Sequence, residues 1–459
     1  MKWIIHGMVM LSLGAYWGMP VASARLNIEI TQGIMGAVPI AVMPFTHMTG
    51  PTMQAKPDLV MSQLLAQDLQ SSGRFRPISD SEIPNTLDRN AIEQWRQLGV
   101  ENVVVGSVQA LGGDRYNVAF ELWDVFKVPD VPPSMQLEYG QLMAVKARPA
   151  HILAAKKYSN IREADCRALG HHISDVIYET LTGNRGAFST RIAYISVQTT
   201  AKGASEFVLE VADADGHGAQ AVVRSKEPIM SPTWSPDGKQ LAFVSFENKR
   251  SEIYAVELQS GKRRLLTHFP GINGAPSWSP NGRQLALVLS KDGSPKIYTL
   301  DLATHQLQQI TQGHSIDTEP SWDPSGQSLF FTSNRGGRPQ IYRVQLKDRK
   351  IERITYEGHY NARAMPTPDG QRIVMVHRQA TGGLKIATQD LNSHRFKILT
   401  NAQFDESPSL SPNGTMVVYA TTRGEKRALG LVTIDGRGHL RLPAQSGNVQ
   451  EPSWSPFLS

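Results

Sequence analysis

From about residue 190 onward, short apolar runs alternate with turn-forming phrases at a constant spacing. The runs are Leu241-Ala242-Phe243-Val244, Leu285-Ala286-Leu287-Val288, Leu329-Phe330-Phe331, Ile373-Val374-Met375-Val376 and Met416-Val417-Val418-Tyr419. They carry almost no polar residues, the pattern of strands covered on both faces. A phrase of the type Pro-Ser-Trp-Ser-Pro-Asn-Gly precedes each. It reads Pro232-Thr233-Trp234-Ser235-Pro236-Asp237-Gly238 in its first copy and Pro276-Ser277-Trp278-Ser279-Pro280-Asn281-Gly282 in its second. Its aligned position falls at 234, 278, 322, 366, 410 and 454, so every step is 44 residues. A period near 44 is that of a β-propeller blade.

The phrase has a local physical meaning. In Ser-Pro-Asp-Gly the proline presets φ at the second turn position, Asp or Asn suits the third, and Gly accepts a positive φ at the fourth. The apolar strand follows, then a second such as 253–256 or 297–300, then a third such as 264–266 or 309–311. The fourth runs into the next Pro-Ser-Trp, so each blade is expected to end on that phrase. The first blade is then built from 191–196, 207–212, 220–224 and the strand into Trp234. Counting closing phrases predicts six blades, in a ring closed without a strand borrowed from the other end of the chain. The tryptophans of the phrase are expected in the core between blades.

Upstream the pattern changes and no phrase repeats. Residues 40–45, 102–108, 116–125 and 137–145 read as strands. A helix starting at Asp58 places Val60, Met61, Leu64, Leu65 and Leu69 on one side and ends near Gly73; another carries Leu169, Ile173, Val176, Ile177 and Leu181 and stops at Gly183. The predicted fold is mostly β: an N-terminal α/β domain over 25–186, then a C-terminal six-bladed β-propeller over 187–459.

Composition adds location. Lys2, the apolar stretch from Met8 to Trp17 and Ala22-Ser23-Ala24 read as a secretory signal peptide over 1–24. That stretch is shorter than the roughly 20 residues of a membrane span, and no other segment reads as one. The 459-residue chain carries a net charge of +6, with no basic block of the kind that marks nucleic-acid binding. The only cysteine, Cys166, falls on the last helix and reads as a small buried hydrophobe.

The residues ahead of each Pro-Ser-Trp lie at the strand end opposite the turn, and their chemistry does not repeat. They are Ile229-Met230-Ser231, Asn273-Gly274-Ala275, Asp317-Thr318-Glu319, Asn361-Ala362-Arg363, Asp405-Glu406-Ser407 and Val449-Gln450-Glu451. Six unlike segments converging on one channel mouth predict an asymmetric recognition surface with Met230, Ser231, Arg363, Asp405, Glu406 and Glu451 among its groups. At the mature N-terminus, Leu26, Ile28 and Ile30 alternate with polar residues. This is a strand that adds to a partner's sheet edge or the first strand of its own domain.

Enzymatic constellations are sparse. No Gly-x-Ser-x-Gly elbow occurs. His171 and His172 are adjacent on a helix, about 100° apart, a poor metal pair without a third ligand. Asp213-Ala214-Asp215-Gly216 resembles the start of a calcium loop, but Arg224 stands where that loop needs Glu, so a hairpin turn is expected. No phosphate-binding loop is present. The sequence therefore predicts no catalytic, metal or cofactor residues. The alternative kept open is an enzyme in the propeller channel acting on peptidoglycan or peptide fragments.

The propeller phrases, the stretch from Glu179 to Tyr194, Ala41-Val42-Met43-Pro44-Phe45 and the ending Pro452-Ser453-Trp454-Ser455-Pro456-Phe457-Leu458 together resemble the TolB family of the Tol–Pal cell-envelope system. The resemblance implies a monomeric, non-enzymatic periplasmic scaffold. It binds the lipoprotein Pal through the propeller and the inner-membrane protein TolA through its N-terminal segment, and serves outer-membrane integrity and constriction during division. Bacteriocins and other outer-membrane or peptidoglycan-associated proteins are further partners it implies. The Pal-contacting positions correspond to Ile272, Asn273, Gly274, Ala275, Thr318, Glu319 and Pro320, and the TolA-binding segment to Arg25, Leu26, Asn27, Ile28, Glu29 and Ile30. Ile272 stands where the family often has His, an apolar group in place of a hydrogen-bonding one.

Overall fold

A computed structural model describes residues 29–32, 36–48, 57–79, 82, 89–128, 149–199, 203–424, 426–442 and 448–458. The signal segment, residues 25–28 and the strand predicted over 137–145 lie outside these.

The C-terminal part is a ring of six antiparallel sheets, the six-bladed propeller expected from the repeat. The second blade is typical: Ile229–Trp234 innermost, then Gln240–Ser245, Glu252–Glu257 and Arg263–Thr267 at the rim. The turn behaves as its residues dictate. Gly238 takes φ 69° and donates its N–H to the Ser235 carbonyl at 2.9 Å; Gly282, Gly326, Gly370 and Gly414 repeat this at φ 67–70°.

Two expectations need correction. The Pro-Ser-Trp strand opens a blade rather than ending one, because the tight turn folds it back onto the apolar strand that follows it, pairing Trp234 with Leu241. The ring therefore does borrow a strand from the far end. Asn448–Trp454 fills the inner place of the first blade beside Arg191–Thr199, with Trp454 opposite Ile192. Ser205–Asp213 and Gln220–Ser225 complete that blade. The strand into Trp234 belongs to the second.

The tryptophans pack between blades, and three also hydrogen-bond across the seams. Trp234 Nε1 donates to Ser453 O at 2.9 Å, Trp278 Nε1 to Thr233 O at 3.3 Å and Trp322 Nε1 to Ser277 O at 3.0 Å, each in the preceding blade, whereas Trp454 Nε1 donates within the first blade, to Thr190 Oγ1 at 2.7 Å. Each such bond contributes about 1 kcal/mol beyond ring burial. Pro366 and Leu410 hold this position in the fifth and sixth blades and supply no donor.

The N-terminal domain is a mixed sheet ordered Phe75–Pro77, Val38–Val42, Asn102–Gly112, Arg115–Asp124, Ile152–Arg162, with Thr46–Met48 also pairing Asn102–Gly112. Alternation along its strands builds two cores. Ile40, Val42 and Val104 face α1 (Pro57–Ser71) and α3 (Cys166–Thr182); Ala41, Met43, Val103 and Val105 face Ile92 and Trp95 of α2 (Arg89–Gln97). α1 and α3 match the predicted helices, and Gly183 ends α3 at φ 74°. Cys166 is buried, which pushes its thiol up to about 11. The sequence reading did not find α2 or Ile152–Arg162, an edge strand with largely polar, half-exposed residues.

Glu29–Gln32 is a strand, but it joins neither its own domain's sheet nor its helices. It pairs antiparallel with His439–Leu442 on the rim of the sixth blade, Glu29 opposite Arg441 and Ile30 opposite Leu440.

Candidate binding site at the channel mouth

The inner strand of every blade carries the same irregularity. Its register slips between Met230 and Thr233, and again at the equivalent place in the five other blades. One residue in each bulge sits at positive φ: Ser231 50°, Ala275 44°, Glu319 53°, Arg363 53°, Ser407 54° and Glu451 51°. None is glycine, and all but Arg363 precede proline, which itself disfavours helical conformations. Such a backbone costs on the order of 1 kcal/mol per residue and persists where the surroundings over-determine it. Bulges re-aim side chains. Here they surround a channel of about 520 Å³ lined by Met230, Ser231, Ile272, Gly274, Ala275, Thr318, Glu319, Pro320, Arg363 and Glu451, among others.

The groups in this mouth are unlike and interlocked. Arg363 lies between two glutamates, with Nε 3.6 Å from Glu319 Oε1 and Nη2 3.6 Å from Glu451 Oε2, while Nη1 donates to Ser407 Oγ at 2.6 Å. One guanidinium thus links the fifth blade to the fourth, the sixth and the first. Burial opposes its charge, but Glu451, Glu319 and Glu406 outweigh this and raise its pKa. Glu319 Oε2 accepts from Thr332 Oγ1 at 2.8 Å and from the Arg363 N–H at 3.1 Å. Glu406 is held by Arg427 Nη1 at 2.9 Å.

Most residues singled out from sequence meet here, with two qualifications. Ile272 and Met230 are exposed, at 48% and 39%. Asn273 is fully buried; its Nδ2 donates to Phe269 O at 2.7 Å and its Oδ1 accepts from Phe269 N at 2.9 Å, so it braces the loop that presents Ile272. Asp405 does not face the channel. It is fully buried inside the sixth blade, which raises its carboxyl pKa. It opens its strand at the position of Asn273, two residues ahead of the bulge that aims side chains inward. Arg427 and Thr332 were missed, since they stand on second and third strands that no repeat alignment brings to the mouth.

The other constellations resolve too. Asp213–Gly216 is a hairpin turn, with the Gly216 N–H donating to Asp213 O at 2.8 Å, and Arg224 pairs with Glu206. His171 and His172 diverge. His172 packs edge-on against Tyr158, whereas His171 Nδ1 is 2.9 Å from Asp68 Oδ2. His171, Asp213 and Asp215 bring ligand-type atoms within 4.8 Å of one another, a grouping that spans both domains and has no sequence signature.

Comparison with known proteins places this geometry. Residues 178–458 match the model of the TolB beta propeller domain, and residues 26–131 that of the TolB amino-terminal domain. The chain is 51% identical over 440 residues to the Tol-Pal system protein TolB of Nitrosococcus oceani, covering 95% of each. It is 51% identical over 457 residues to that of Coxiella burnetii, covering 99% of each. The crystal structure of TolB from Acinetobacter baumannii superposes with a TM-score of 0.81 at 37% identity, covering 94% of this chain and all of that one. With both domains, the six blades and nearly the full length in common, the chain belongs to the TolB family of Tol-Pal system proteins.

Proposed function

We propose that this protein is a periplasmic scaffold that binds the lipoprotein Pal at the channel mouth and TolA through residues 25–30, for outer-membrane integrity and constriction during division. The observation that carries the reading is the mouth itself. Six equivalent bulges carry Ser, Ala, Glu, Arg, Ser and Glu in turn around the ring, so a convex partner meets a fixed, asymmetric set of groups. Ile272 and Met230 offer apolar area, and Glu319, Arg363 and Glu451 offer charge and hydrogen bonds. Interfaces of this kind depend on a few central anchors. The pairing of Glu29–Gln32 with a blade edge is consistent with a segment that adds to a second sheet edge in a partner.

Calorimetry of the mature chain, residues 25–459, with the soluble domain of the Pal from the same cell tests this reading. Saturable binding is expected, weakened at least tenfold by Glu319→Lys, which reverses one carboxylate beside Arg363. Ile272→Asp should weaken it while leaving the melting temperature in place, since Ile272 is exposed. Unchanged affinity in both variants would move the partner away from this mouth. Absence of binding together with robust turnover of peptidoglycan fragments would favour the channel enzyme instead.

A further inference from the structure

Apart from the junction chain, the domains are tied together by a buried charged cluster that the channel reading does not use. His171 and Arg167 stand one turn apart on α3, and Asp68 on α1. Asp213 and Asp215 come from the hairpin of the first blade. His171 Nδ1 is 2.9 Å from Asp68 Oδ2, and its Nε2, aimed at the propeller, is 4.0 Å from Asp215 Oδ2 with no hydrogen-bond partner. Arg167 bonds Asp215 through Nη2 and lies 3.5 Å from Asp213 through Nε. The side chains of Asp68 and His171 are each only 4% exposed.

The charges decide how this joint works. Three carboxylates face one guanidinium. With a neutral imidazole the cluster holds two uncompensated negative charges, with Asp68 and Asp215 buried and Asp213 partly exposed; with an imidazolium it holds one, and both ring nitrogens point at carboxylates. The groups facing His171 are Asp68 from α1, Arg167 from α3 and Asp215 from the blade; Asp175, one turn further along α3, is turned to the Phe188 and Ser189 N–H groups. A cavity of about 30 Å³ lies beside the cluster, between Asp68, Phe188, Asp215, Met416 and Trp454.

We propose that Asp68, His171, Arg167, Asp213 and Asp215 form a protonation-sensitive latch that holds the N-terminal domain on the first blade. The imidazolium of His171 bridges the domains through Asp68 on one side and Asp215 on the other. Loss of its proton leaves Arg167 as the sole cation and loosens the joint. A metal is not needed, because Arg167 already fills the space between the two blade aspartates. The latch does not depend on which partner occupies the channel.

The sign follows from the environment. Burial lowers the His171 pKa, but Asp68 and Asp215 outweigh it and bring it up to about 9 from its ordinary 6.5. The latch is complete below about pH 6.5 and is lost as pH rises through about 9. Histidine-resolved NMR titration of the full mature chain tests this directly. A His171 ring that keeps its proton beyond pH 8 is expected, and titration near 6.5 would overturn the proposal. Calorimetric melting of wild type, His171→Gln and Asp215→Asn at pH 7 and 9.5 gives the mechanical readout. The wild type should lose several degrees more than either variant between the two pH values. Equal losses would overturn the latch, as would a saturable zinc-induced rise in melting temperature that His171→Gln abolishes, which would make the cluster a metal clasp.

Discussion

At the scale of single residues, the mouth is held by backbone that its side chains do not favour. Ala275 at φ 44° before Pro276 is the plainest case, since alanine makes no side-chain hydrogen bond that offsets the strain. Ala275→Gly should raise stability by roughly 0.5–1 kcal/mol, because relief of the left-handed strain exceeds the added entropy of the unfolded glycine. A denaturant melt would check it, and a clear loss of stability would mean that the methyl group is needed in the channel wall. Arg363 works in the opposite sense. Arg363→Met removes the cation between Glu319 and Glu451 and should cost roughly 2 kcal/mol in the same assay. The sequence announces the variety of these residues, through the unlike segments ahead of each phrase. It does not announce the bulge, because Ser, Ala, Glu and Arg carry no left-handed preference. Only the shared ladder and the closed ring force that conformation.

At the scale of elements, one reassignment changes the architecture. The Pro-Ser-Trp strand opens a blade, so the last copy of the phrase becomes the inner strand of the first. Truncation before residue 448 should leave that blade three-stranded, with Ile192 and Tyr194 stripped of cover from Val449 and Trp454. A lower and broader thermal transition is expected, and a full-stability truncation would show that the seam does not carry ring closure. Trp454→Phe, which removes the bond to Thr190 and shrinks a buried ring, should cost roughly 2–3 kcal/mol. The helices were legible because α1 and α3 each bury a continuous apolar side and end at a glycine with positive φ, Gly73 and Gly183. Ile152–Arg162 was not, because an edge strand with one polar face shows little apolar alternation.

At the scale of the whole molecule, the two ends of the ring do different work. The turn end meets the N-terminal domain: Asn413, from the Ser-Pro-Asn-Gly turn of the sixth blade, donates to Arg185 O at 2.9 Å, and Arg185 stacks over Phe457 at 4.0 Å. The mouth, at the other end of the same strands, stays open. The two ends share no residues, so Glu319→Lys and Asp215→Asn should change melting stability additively, within roughly 0.5 kcal/mol, when combined. A larger deviation would reveal mechanical coupling through the blades. The N-terminal strand crosses this division. It is connected to the α/β domain but pairs with the sixth blade, so its place depends on how the two domains sit together.

What the sequence determined by itself is what repeats or is local. The 44-residue period specified six blades, Ser-Pro-Asp-Gly specified the turns, apolar runs specified strands buried on both faces, and helical periodicity specified α1 and α3. These follow from steric limits on φ and ψ and from burial at a fixed period, which act within one short segment. What the tertiary structure alone decided is which distant segments meet. It paired Trp454 with Ile192, turned Asp405 inward and Arg363 into the channel, set Glu29–Gln32 on a foreign sheet, and brought Asp68, His171 and Asp215 from two domains to one point. Contacts across more than a hundred residues leave no spacing to read, because ring closure and charge balance in buried sites are properties of the assembled chain.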